Sequence, residues 1–274
     1  KREAMIIVGW DNSSNLARSI ARALKVKYSK LSISAFPDGD LYLKYNSNIK
    51  EKKLVLVHSF QPNPNQALLT TIFAAETAKD LGAKKVILVA PYLAFMRQDK
   101  RFHPGEAISS RVMAKLLNNS VDKIITVDPH LHRYHSLKDI FRIPATTLTA
   151  NGIIADYIQK KIKSPLIIGP DWESYQWAEE IANTIGAPST VLEKKRFSAH
   201  YVQVRLKEKI DCKGKNVVIV DDIISTGHTI AEAAKQAKKR GARTITAIGV
   251  HGLFVNKAVD LLKSAGVNSL ATVN

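Results

Sequence analysis

The sequence predicts two tandem α/β domains, each built as a mainly parallel sheet flanked by helices. Two observations carry this prediction. In both halves, short apolar runs of strand length alternate with segments of helix formers, which is the pattern of a parallel sheet covered by helices. The second half also repeats features of the first half in the same order. An ordered internal repeat indicates that the two halves share one architecture.

The repeat consists of three pairs of segments. The first pair, Ile6–Leu24 and Ile167–Ile185, is offset by about 160 residues and aligns Asp11 with Asp171. The other pairs are Lys53–Ser59 with Asn216–Asp222, and the segment ending at Phe95 with the segment ending at Phe254. One match can arise by chance between any two strand–helix units, but three matches in one order argue against chance. We expect a first domain over 1–147 and a second over 148–274, joined near Thr146–Ile153.

Composition restricts the class of protein. The chain has 274 residues, of which 45% are hydrophobic, and this is enough for two modest α/β cores. Its one cysteine, Cys212, excludes a disulfide framework and predicts a reducing, cytoplasmic environment. The amino terminus runs directly into a strand-like segment, so we expect no signal peptide. Nothing approaches a membrane-spanning apolar length, so we expect no membrane partner.

The formal net charge of +17 predicts anionic partners. The basic residues fall in scattered short clusters, mostly at expected helix ends and turns, where cations suit the helix dipole and solvent. Neither zinc-finger spacing nor an aromatic–basic RNA signature accompanies them. Charge alone therefore leaves a polyphosphate substrate and nucleic acid as alternatives.

Two polar segments stand out in the first half. FPDGD, Phe36–Asp40, has a Pro-Asp-Gly turn with an aromatic residue at its edge, and by itself it is typical of an ordinary turn. RQDKRFH, Arg97–His103, follows Phe95 and has no counterpart after Phe254. A densely polar loop after a strand fits a ligand site, and a solvated loop is an equally good interpretation.

Three histidines and an aspartate follow the apolar strand that begins at Ile125, namely Asp128, His130, His132 and His135. A zinc site would need helical HExxH spacing or a cysteine partner, and the segment has neither. We interpret one histidine as helping to hold a hydrated Mg²⁺ or a phosphate, and at least one of the others as a surface residue.

In the second half, Asp171 ends a buried strand, and a run of charged residues, Glu193–Arg196, interrupts a later strand-like pattern. The run has two interpretations. It is either a solvated basic hairpin, the commoner fate of such a run, or a segment from which Lys194 and Arg196 reach across a phosphate-binding active site.

The most informative stretch is Asn216–Ile230, NVVIVDDIISTGHTI. Val217–Val220 is an apolar run of the kind that a buried parallel strand needs. Asp221 and Asp222 follow it, and a short loop over Ile223–His228 then leads into a segment of strong helix formers. Ligands of α/β sheets bind at the carboxyl ends of the strands, so this stretch predicts a ligand site.

The residues of this loop indicate what the ligand is. Ser225, Thr226 and Thr229 supply hydroxyl groups, and Gly227 lets the backbone close around a bound group. The first amides of the following helix favour an anion such as phosphate, whereas the two acids favour hydroxyl groups or a metal ion. Ribose 5-phosphate has both parts. The alternative is that Thr226 only caps the helix and the acids are solvated.

This loop resembles the phosphoribosyl-pyrophosphate loop of type I phosphoribosyltransferase folds. All the segments together, in this order, resemble the ribose-phosphate pyrophosphokinase family over nearly the whole chain, and the short length is similar to its archaeal branch. The resemblance implies two tandem type I phosphoribosyltransferase-like domains, the first with nucleotide-binding loops and the second with the ribose 5-phosphate loop. It also implies transfer of the pyrophosphoryl group of Mg-ATP to the C1 hydroxyl of ribose 5-phosphate, with release of AMP.

The resemblance further implies roles for individual residues. The catalytic cations are Lys194 and Arg196, and the metal ligands are His130 and Asp171. ATP is bound by Phe36, Asp38, Asp40, Arg97, Gln98, Asp99, Arg101 and His130. Ribose 5-phosphate is bound by Asp221, Asp222, Ser225, Thr226, Gly227, His228 and Thr229. Mg²⁺ is the implied cofactor, nucleic acid is not an implied partner, and homo-oligomers are implied in which the FPDGD turn reaches a neighbour's ATP site.

The chain departs from the family pattern at two places, and two other functions stay open. Many members have Gly-Gly after the aspartate where this chain has Asp171-Trp172-Glu173-Ser174, and an aspartate in place of Ser225. A phosphoribosyltransferase would keep the second-half loop without needing the RQD insertion or the FPDGD turn. A regulatory or nucleic-acid-binding protein on this fold should have lost Lys194 or Arg196, and both are present.

Overall fold

The computed structural model describes residues 4–196, 202–206 and 211–273. The chain divides into two compact units, Lys1–Leu148 and Thr149–Asn274, hereafter the first and second domains. Within the described residues, no helix combines the length and the apolar character needed to cross a membrane.

The first domain contains a seven-stranded sheet with the order β3-β2-β1-β4-β5-β6-β7. Its elements are β1 (Met5–Gly9), α1 (Ser14–Leu24), β2 (Lys27–Ala35), β3 (Leu41–Tyr45), β4 (Lys53–Val57), α2 (Pro64–Asp80), β5 (Lys85–Ala90), α3 (Ser109–Ser120), β6 (Lys123–Val127) and β7 (Ala145–Leu148). Neighbouring strands are parallel except for β2 and β3, which form an antiparallel edge hairpin.

The second domain contains a six-stranded sheet with the order β10-β9-β8-β11-β12-β13. Its elements are α4 (Asn151–Lys161), β8 (Pro165–Gly169), α5 (Trp172–Ile185), β9 (Ser189–Arg196), β10 (Val202–Leu206), β11 (Asn216–Ile224), α6 (His228–Lys239), β12 (Thr244–Gly252), α7 (Ala258–Ser264) and β13 (Ser269–Thr272). Again only the edge pair, β9 and β10, is antiparallel.

The six strands of the second sheet follow the order of the first six strands of the first sheet, in line with the sequence repeat. The pairs β1 and β8, β4 and β11, and β5 and β12 occupy equivalent places in the strand order. Gly9 and Gly169 end the equivalent strands β1 and β8. A Cβ on Gly9 would lie 2.4 Å from Ala17 Cβ, and one on Gly169 would lie 2.8 Å from Tyr175 Cα. Both glycines therefore let the following helix pack against the strand end.

Packing in the core of the second domain fixes the position of the loop between β11 and α6. Alternate residues of β8, β11 and β12 pack against α6 and α7, and this cluster includes Ile219, Ile245 and Leu262. Three alanines of α6, Ala233, Ala234 and Ala237, are fully buried, so this helix packs closely on the sheet. A fully buried aliphatic side chain contributes about 1.5–3 kcal/mol to folding. This packing fixes the start of α6 beside the end of β11.

Candidate active site

The β11–α6 connection is shorter than the sequence predicts. The strand does not end at Val220 but continues to Ile224, so Asp221 and Asp222 lie within it, and both are buried. The helix begins at His228 and leaves a loop of only Ser225–Gly227. The strand is longer because β12 continues beside it, with Ile223 opposite His251. Pairing of the backbone outweighs the low strand propensity of aspartate.

Gly227 shapes the start of α6. Its φ is +76°, in the left-handed region, and a Cβ there would lie 3.2 Å from Leu262 Cγ. It is also the N-cap residue, and no side chain caps the helix. Thr226 is therefore not the cap, contrary to the simpler alternative. The first amides of α6 have no intrahelical acceptor, and Ser225, Thr226, His228 and Thr229 all lie at this helix end.

Ser174 joins the two acidic strand ends of the second domain. Asp171 is the N-cap of α5, and its Oδ1 accepts hydrogen bonds from the Ser174 backbone N–H at 2.8 Å and from Ser174 Oγ at 2.9 Å. Ser174 Oγ also lies 2.6 Å from Asp221 Oδ1. The hydroxyl group has a single proton and cannot donate to both carboxyl groups. One of these two contacts therefore needs a proton from a carboxylic acid.

Asp221 is favoured as the carrier of this proton. Burial raises its pKa well above the usual range, and the neighbouring charges of Asp222 and Asp171 raise it further. Protonated Asp221 can donate to Ser174 Oγ, which in turn donates to Asp171. Each acid also accepts the N–H of the next residue: Asp221 Oδ1 accepts that of Asp222 at 3.0 Å, and Asp222 Oδ1 accepts that of Ile223 at 2.8 Å. Asp221 in addition contacts Ser174.

In the first domain, the FPDGD segment forms the tip of the β2–β3 hairpin. The Phe36 N–H donates to the Asp40 carbonyl at 2.8 Å, and Gly39 has a φ of +94°, so the turn is tightly closed. Phe36, Asp38 and Asp40 are exposed, and the Phe36 ring packs edge-on against Tyr42. The structure therefore places all three predicted residues at an accessible tip on the sheet edge.

The RQD segment is anchored by a contact between two loops. Asp99 is buried and accepts a hydrogen bond from Arg133 Nη1 at 2.8 Å. The Gln98 carbonyl accepts from Ser110 Oγ at 3.1 Å, and Ser110 Oγ lies 2.8 Å from Tyr134 Oη. Because a buried carboxylate needs a partner, Arg133 holds Asp99 in place.

The two predicted arginines of this segment are exposed. Arg97 is exposed at its start, and Arg101 donates from Nε to the Glu106 carbonyl at 2.9 Å. Between them, Asp99 is directed into the protein by its ion pair with Arg133. The segment therefore presents cations outward, as a polyphosphate site requires.

The histidine segment follows β6. The rings of His130 and His132 are in contact, with centroids 3.4 Å apart, and both residues are partly buried. His135 is exposed, in line with the interpretation that at least one histidine is a surface residue. The backbone of Asp128 takes a φ of +35°, which turns the chain sharply at the strand end.

Lys194 and Arg196 lie on β9, which runs without interruption to Arg196. The expected break in the strand pattern is absent, because β10 pairs with β9 and supplies backbone partners: Val204 lies opposite Lys194 and Val202 opposite Arg196. The side chains of Lys194 and Arg196, and the rest of the predicted basic segment over 197–201, lie outside the described residues. Their catalytic role stays a prediction.

Two family models match the chain. One is described as the N-terminal domain of ribose phosphate pyrophosphokinase and matches residues 5–120, and the other is described as a phosphoribosyl transferase domain and matches residues 136–252. A relative from Methanobrevibacter smithii, named ribose-phosphate pyrophosphokinase, is 37% identical over 98% of this chain and 93% of its own length. The chain belongs to the ribose-phosphate pyrophosphokinase family.

Other members of the ribose-phosphate pyrophosphokinase family are similar over the whole chain. The relative from Saccharolobus solfataricus is 36% identical over 98% of this chain and 92% of its own length, and that from Methanopyrus kandleri is 34% identical over 97% and 90%. A crystal structure of phosphoribosylpyrophosphate synthetase from Mycobacterium smegmatis has a TM-score of 0.83 at 24% identity, covering 97% of this chain and 88% of that chain. The predicted fold of two phosphoribosyltransferase-type domains is confirmed.

Three residues of this ribose-phosphate pyrophosphokinase family member were missed by reasoning from sequence. Ser174 contacts Asp171 and also Asp221, which lies 47 residues farther along the chain from Ser174, and a serine on a helix gives no signal of such a role. Arg133 and Tyr134 support the RQD segment from 34 and 35 residues away. The need for a partner of Asp99 follows from its burial, which only the structure shows.

Proposed function

We infer that the chain is a ribose-phosphate pyrophosphokinase, which transfers the pyrophosphoryl group of ATP to the C1 hydroxyl of ribose 5-phosphate and releases AMP. The observation that carries this inference is the match to a relative of that name over 98% of the chain, which includes both domains. In the reaction, a bond forms between the C1 oxygen and the β-phosphorus of ATP. The bond between that phosphorus and the oxygen of the AMP leaving group breaks.

The second domain is proposed to bind the sugar phosphate. The start of α6 supplies backbone amides for the 5-phosphate, and the hydroxyl groups of Ser225, Thr226 and Thr229 lie in the same loop and first turn. The left-handed Gly227 is what allows this backbone to curve. Asp222 is the better candidate for an ionised carboxylate that binds the sugar hydroxyls, because burial and neighbouring charges raise the pKa of Asp221.

The first domain is proposed to bind ATP. The exposed Arg97 and Arg101 fit the phosphates, and the anchored backbone at Gln98 and Asp99 fits the adenine. The accessible hairpin tip with Phe36, Asp38 and Asp40 supports the proposal that it completes the ATP site of a neighbouring copy. His130 is proposed to contribute a ring nitrogen to a phosphate oxygen or to a metal-bound water.

Magnesium fits the chemistry of the proposed donor set. Mg²⁺ prefers oxygen ligands and is held through one or two carboxylates and several waters. Asp171 supplies such a carboxylate, with one oxygen used by the α5 cap and no donor on its second oxygen among the described residues. When bound, the ion neutralises charge on the phosphates and helps to align them. Lys194 and Arg196 are proposed to stabilise the charge that develops at the transferring group.

The nucleotide product tests this function. Incubation with Mg-ATP and ribose 5-phosphate, followed by chromatography, is expected to give AMP, and only when ribose 5-phosphate is present. ADP as the main product would contradict pyrophosphoryl transfer. A phosphoribosyltransferase or a non-catalytic protein would leave ATP unchanged in the same assay.

A further inference from the structure

A small cavity lies in the first domain at the place that corresponds to the sugar-phosphate loop of the second domain. The strand β4 lies between β1 and β5, as β11 lies between β8 and β12. Asp11 and His58 follow β1 and β4, where Asp171 and Asp221 stand in the second domain. In both domains a serine near the start of the first helix reaches the central strand end: Ser13 Oγ accepts the Ser59 N–H at 2.8 Å, as Ser174 contacts Asp221.

The cavity has a volume of about 230 Å³. Residues that line it include Asp11, Asn12, His58, Gln61, Gln66 and Thr70. Asn12 Nδ2 donates to the Gln61 carbonyl at 2.6 Å, which joins the loops after β1 and β4 beside the cavity. Pockets for drug-sized ligands measure roughly 300–1,000 Å³, so an occupant of this cavity is smaller than that.

His58 is the unusual group of this cavity. It is only 4% exposed, and its Nδ1 is buried without a hydrogen-bond partner. Burial lowers the pKa of His58 to about 4, so the imidazole is neutral near pH 7. An unpaired buried polar group costs about 1–3 kcal/mol. The structure retains this cost in a residue of the cavity wall.

The charge of the lining selects against phosphates. Of the described residues that line the cavity, none is lysine or arginine, although the chain has 41 such residues. The start of α2 would favour an anion, but the Asp11 carboxylate opposes one. The second-domain loop over Ser225–Gly227 is replaced here by Gln61–Gln66. An anionic occupant is therefore disfavoured.

The lining also favours a sugar over a nucleobase. Carboxylates accept hydrogen bonds from sugar hydroxyls, and carboxamide and hydroxyl groups both donate to them and accept from them. A base would gain from an open aromatic face, but the His58 ring is stacked on Trp10, with centroids 4.4 Å apart and planes 17° apart, and Trp10 is buried. We propose that this cavity binds an uncharged monosaccharide of pentose size, as a second sugar site distinct from that of the second domain.

D-ribose and ribose 5-phosphate are the probes for this proposal. The full-length protein is first saturated with ribose 5-phosphate, which fills the second-domain site, and D-ribose is then titrated. Histidine ring signals are followed by NMR, and the His58 signal is identified by its loss in His58→Phe. The expected result is a saturable shift of the His58 signal with D-ribose and no such shift with ribose 5-phosphate.

Two matched variants locate the binding. Gln66→Leu removes a lining carboxamide, and Asn65→Leu makes the same change at the adjacent exposed position, which does not line the cavity. Gln66→Leu is expected to raise the dissociation constant for D-ribose about tenfold, which is the loss of about one hydrogen bond, and Asn65→Leu is expected to leave it unchanged. Both variants should keep the rate of AMP formation.

Three results would overturn the proposal. These are no shift of the His58 signal at any D-ribose concentration, an equal shift with ribose 5-phosphate, or a D-ribose response that persists in Gln66→Leu. If the His58 signal responds to adenosine and not to D-ribose, the cavity binds a nucleobase and the proposal of a sugar site is wrong. Loss of AMP formation in the wild type would contradict the proposed function but not this inference, since the NMR readout does not depend on turnover.

Discussion

At the scale of single residues, substitutions at Asp221 and Ser174 test whether the Asp221 carboxyl group is protonated in the folded protein. If Asp221 is protonated, Asp221→Asn replaces one uncharged group by another of similar size and should change the stability of the second domain little near pH 7. Ser174→Ala should cost about 1–3 kcal/mol, because it removes the buried hydroxyl group that joins the Asp171 and Asp221 carboxyl groups. Urea unfolding, followed by the fluorescence of Trp172 and Trp177, measures both effects.

The control for Ser174→Ala is Thr184→Ala on the same helix, which removes an exposed hydroxyl bonded only to the Glu180 carbonyl and should cost less. The pH dependence adds a second check. A folded acid with a raised pKa is protonated while the unfolded acid ionises above about pH 4, so the wild type should lose stability relative to Asp221→Asn as pH rises from there. An Asp221→Asn variant as unstable as Ser174→Ala would show that Asp221 is ionised.

His58 predicts a pH effect of opposite sign in the first domain. Its pKa is about 4 in the folded chain and about 6.5 when unfolded, so the unfolded state binds more protons between these values. Stability is therefore lost as pH falls from about 6.5 to 4, by about 3 kcal/mol. His58→Phe keeps a ring against Trp10 and removes the titration, so this loss should disappear. Urea unfolding at pH 7 and pH 4.5 measures it, and equal losses in both proteins would contradict the assignment.

At the scale of elements, the RQD loop depends on its anchor. Arg133→Met removes the partner of the buried Asp99, and we expect a loss of about 1–2 kcal/mol, since Arg133 is half exposed. A loosened loop should also raise the KM for ATP severalfold and change the KM for ribose 5-phosphate less. Steady-state kinetics with each substrate varied would measure this difference.

Arg142→Met is the control for this change, because Arg142 is exposed and carries the same charge. It should leave both KM values and stability near those of the wild type. Equal effects of the two substitutions would mean that net charge, and not the contact with Asp99, is responsible.

The β9–β10 pair carries the predicted catalytic cations. Removing a cation that acts on the transition state of phosphoryl transfer costs about 10³–10⁵ in turnover, so Lys194→Ala should lower kcat by orders of magnitude and change apparent affinities much less. Residues two apart share a face of a strand, so positions 194 and 196 belong to one face and 195 to the other. Lys195→Ala should therefore be mild. If Lys194→Ala keeps a near-normal kcat, the charged run Glu193–Arg196 is a solvated hairpin strand without a catalytic role.

Elements also show what the sequence could predict and what it could not. The apolar run at Val217–Val220 and the helix formers after it identify β11 and α6, because local pattern decides the type of element. The strand end was placed four residues early, since strand length here depends on pairing with β12, and the partner is distant in sequence. The same holds for β9, whose charged end is a strand because β10 pairs with it.

At the scale of the whole molecule, the repeat predicted more than any single motif. Equivalent glycines, Gly9 and Gly169, and an equivalent left-handed phenylalanine at Phe95 and Phe254 show that duplication preserved backbone details. The repeat does not predict the side-chain contacts, because these join residues that are far apart in sequence, as Arg133 and Asp99 are. Sequence therefore located the candidate loops, whereas the contact between Ser174 and Asp221 and the cavity beside His58 required the structure.

The most direct test of the central claim is ³¹P NMR of the full-length protein with Mg-ATP and ribose 5-phosphate. Pyrophosphoryl transfer predicts the signal of AMP together with a new pair of mutually coupled diphosphate signals attached to C1 of the sugar. The two products should appear in equal amounts, because one phosphorus–oxygen bond forms for each that breaks. ADP with a single new phosphate signal, from transfer to the sugar or to water, would contradict the account.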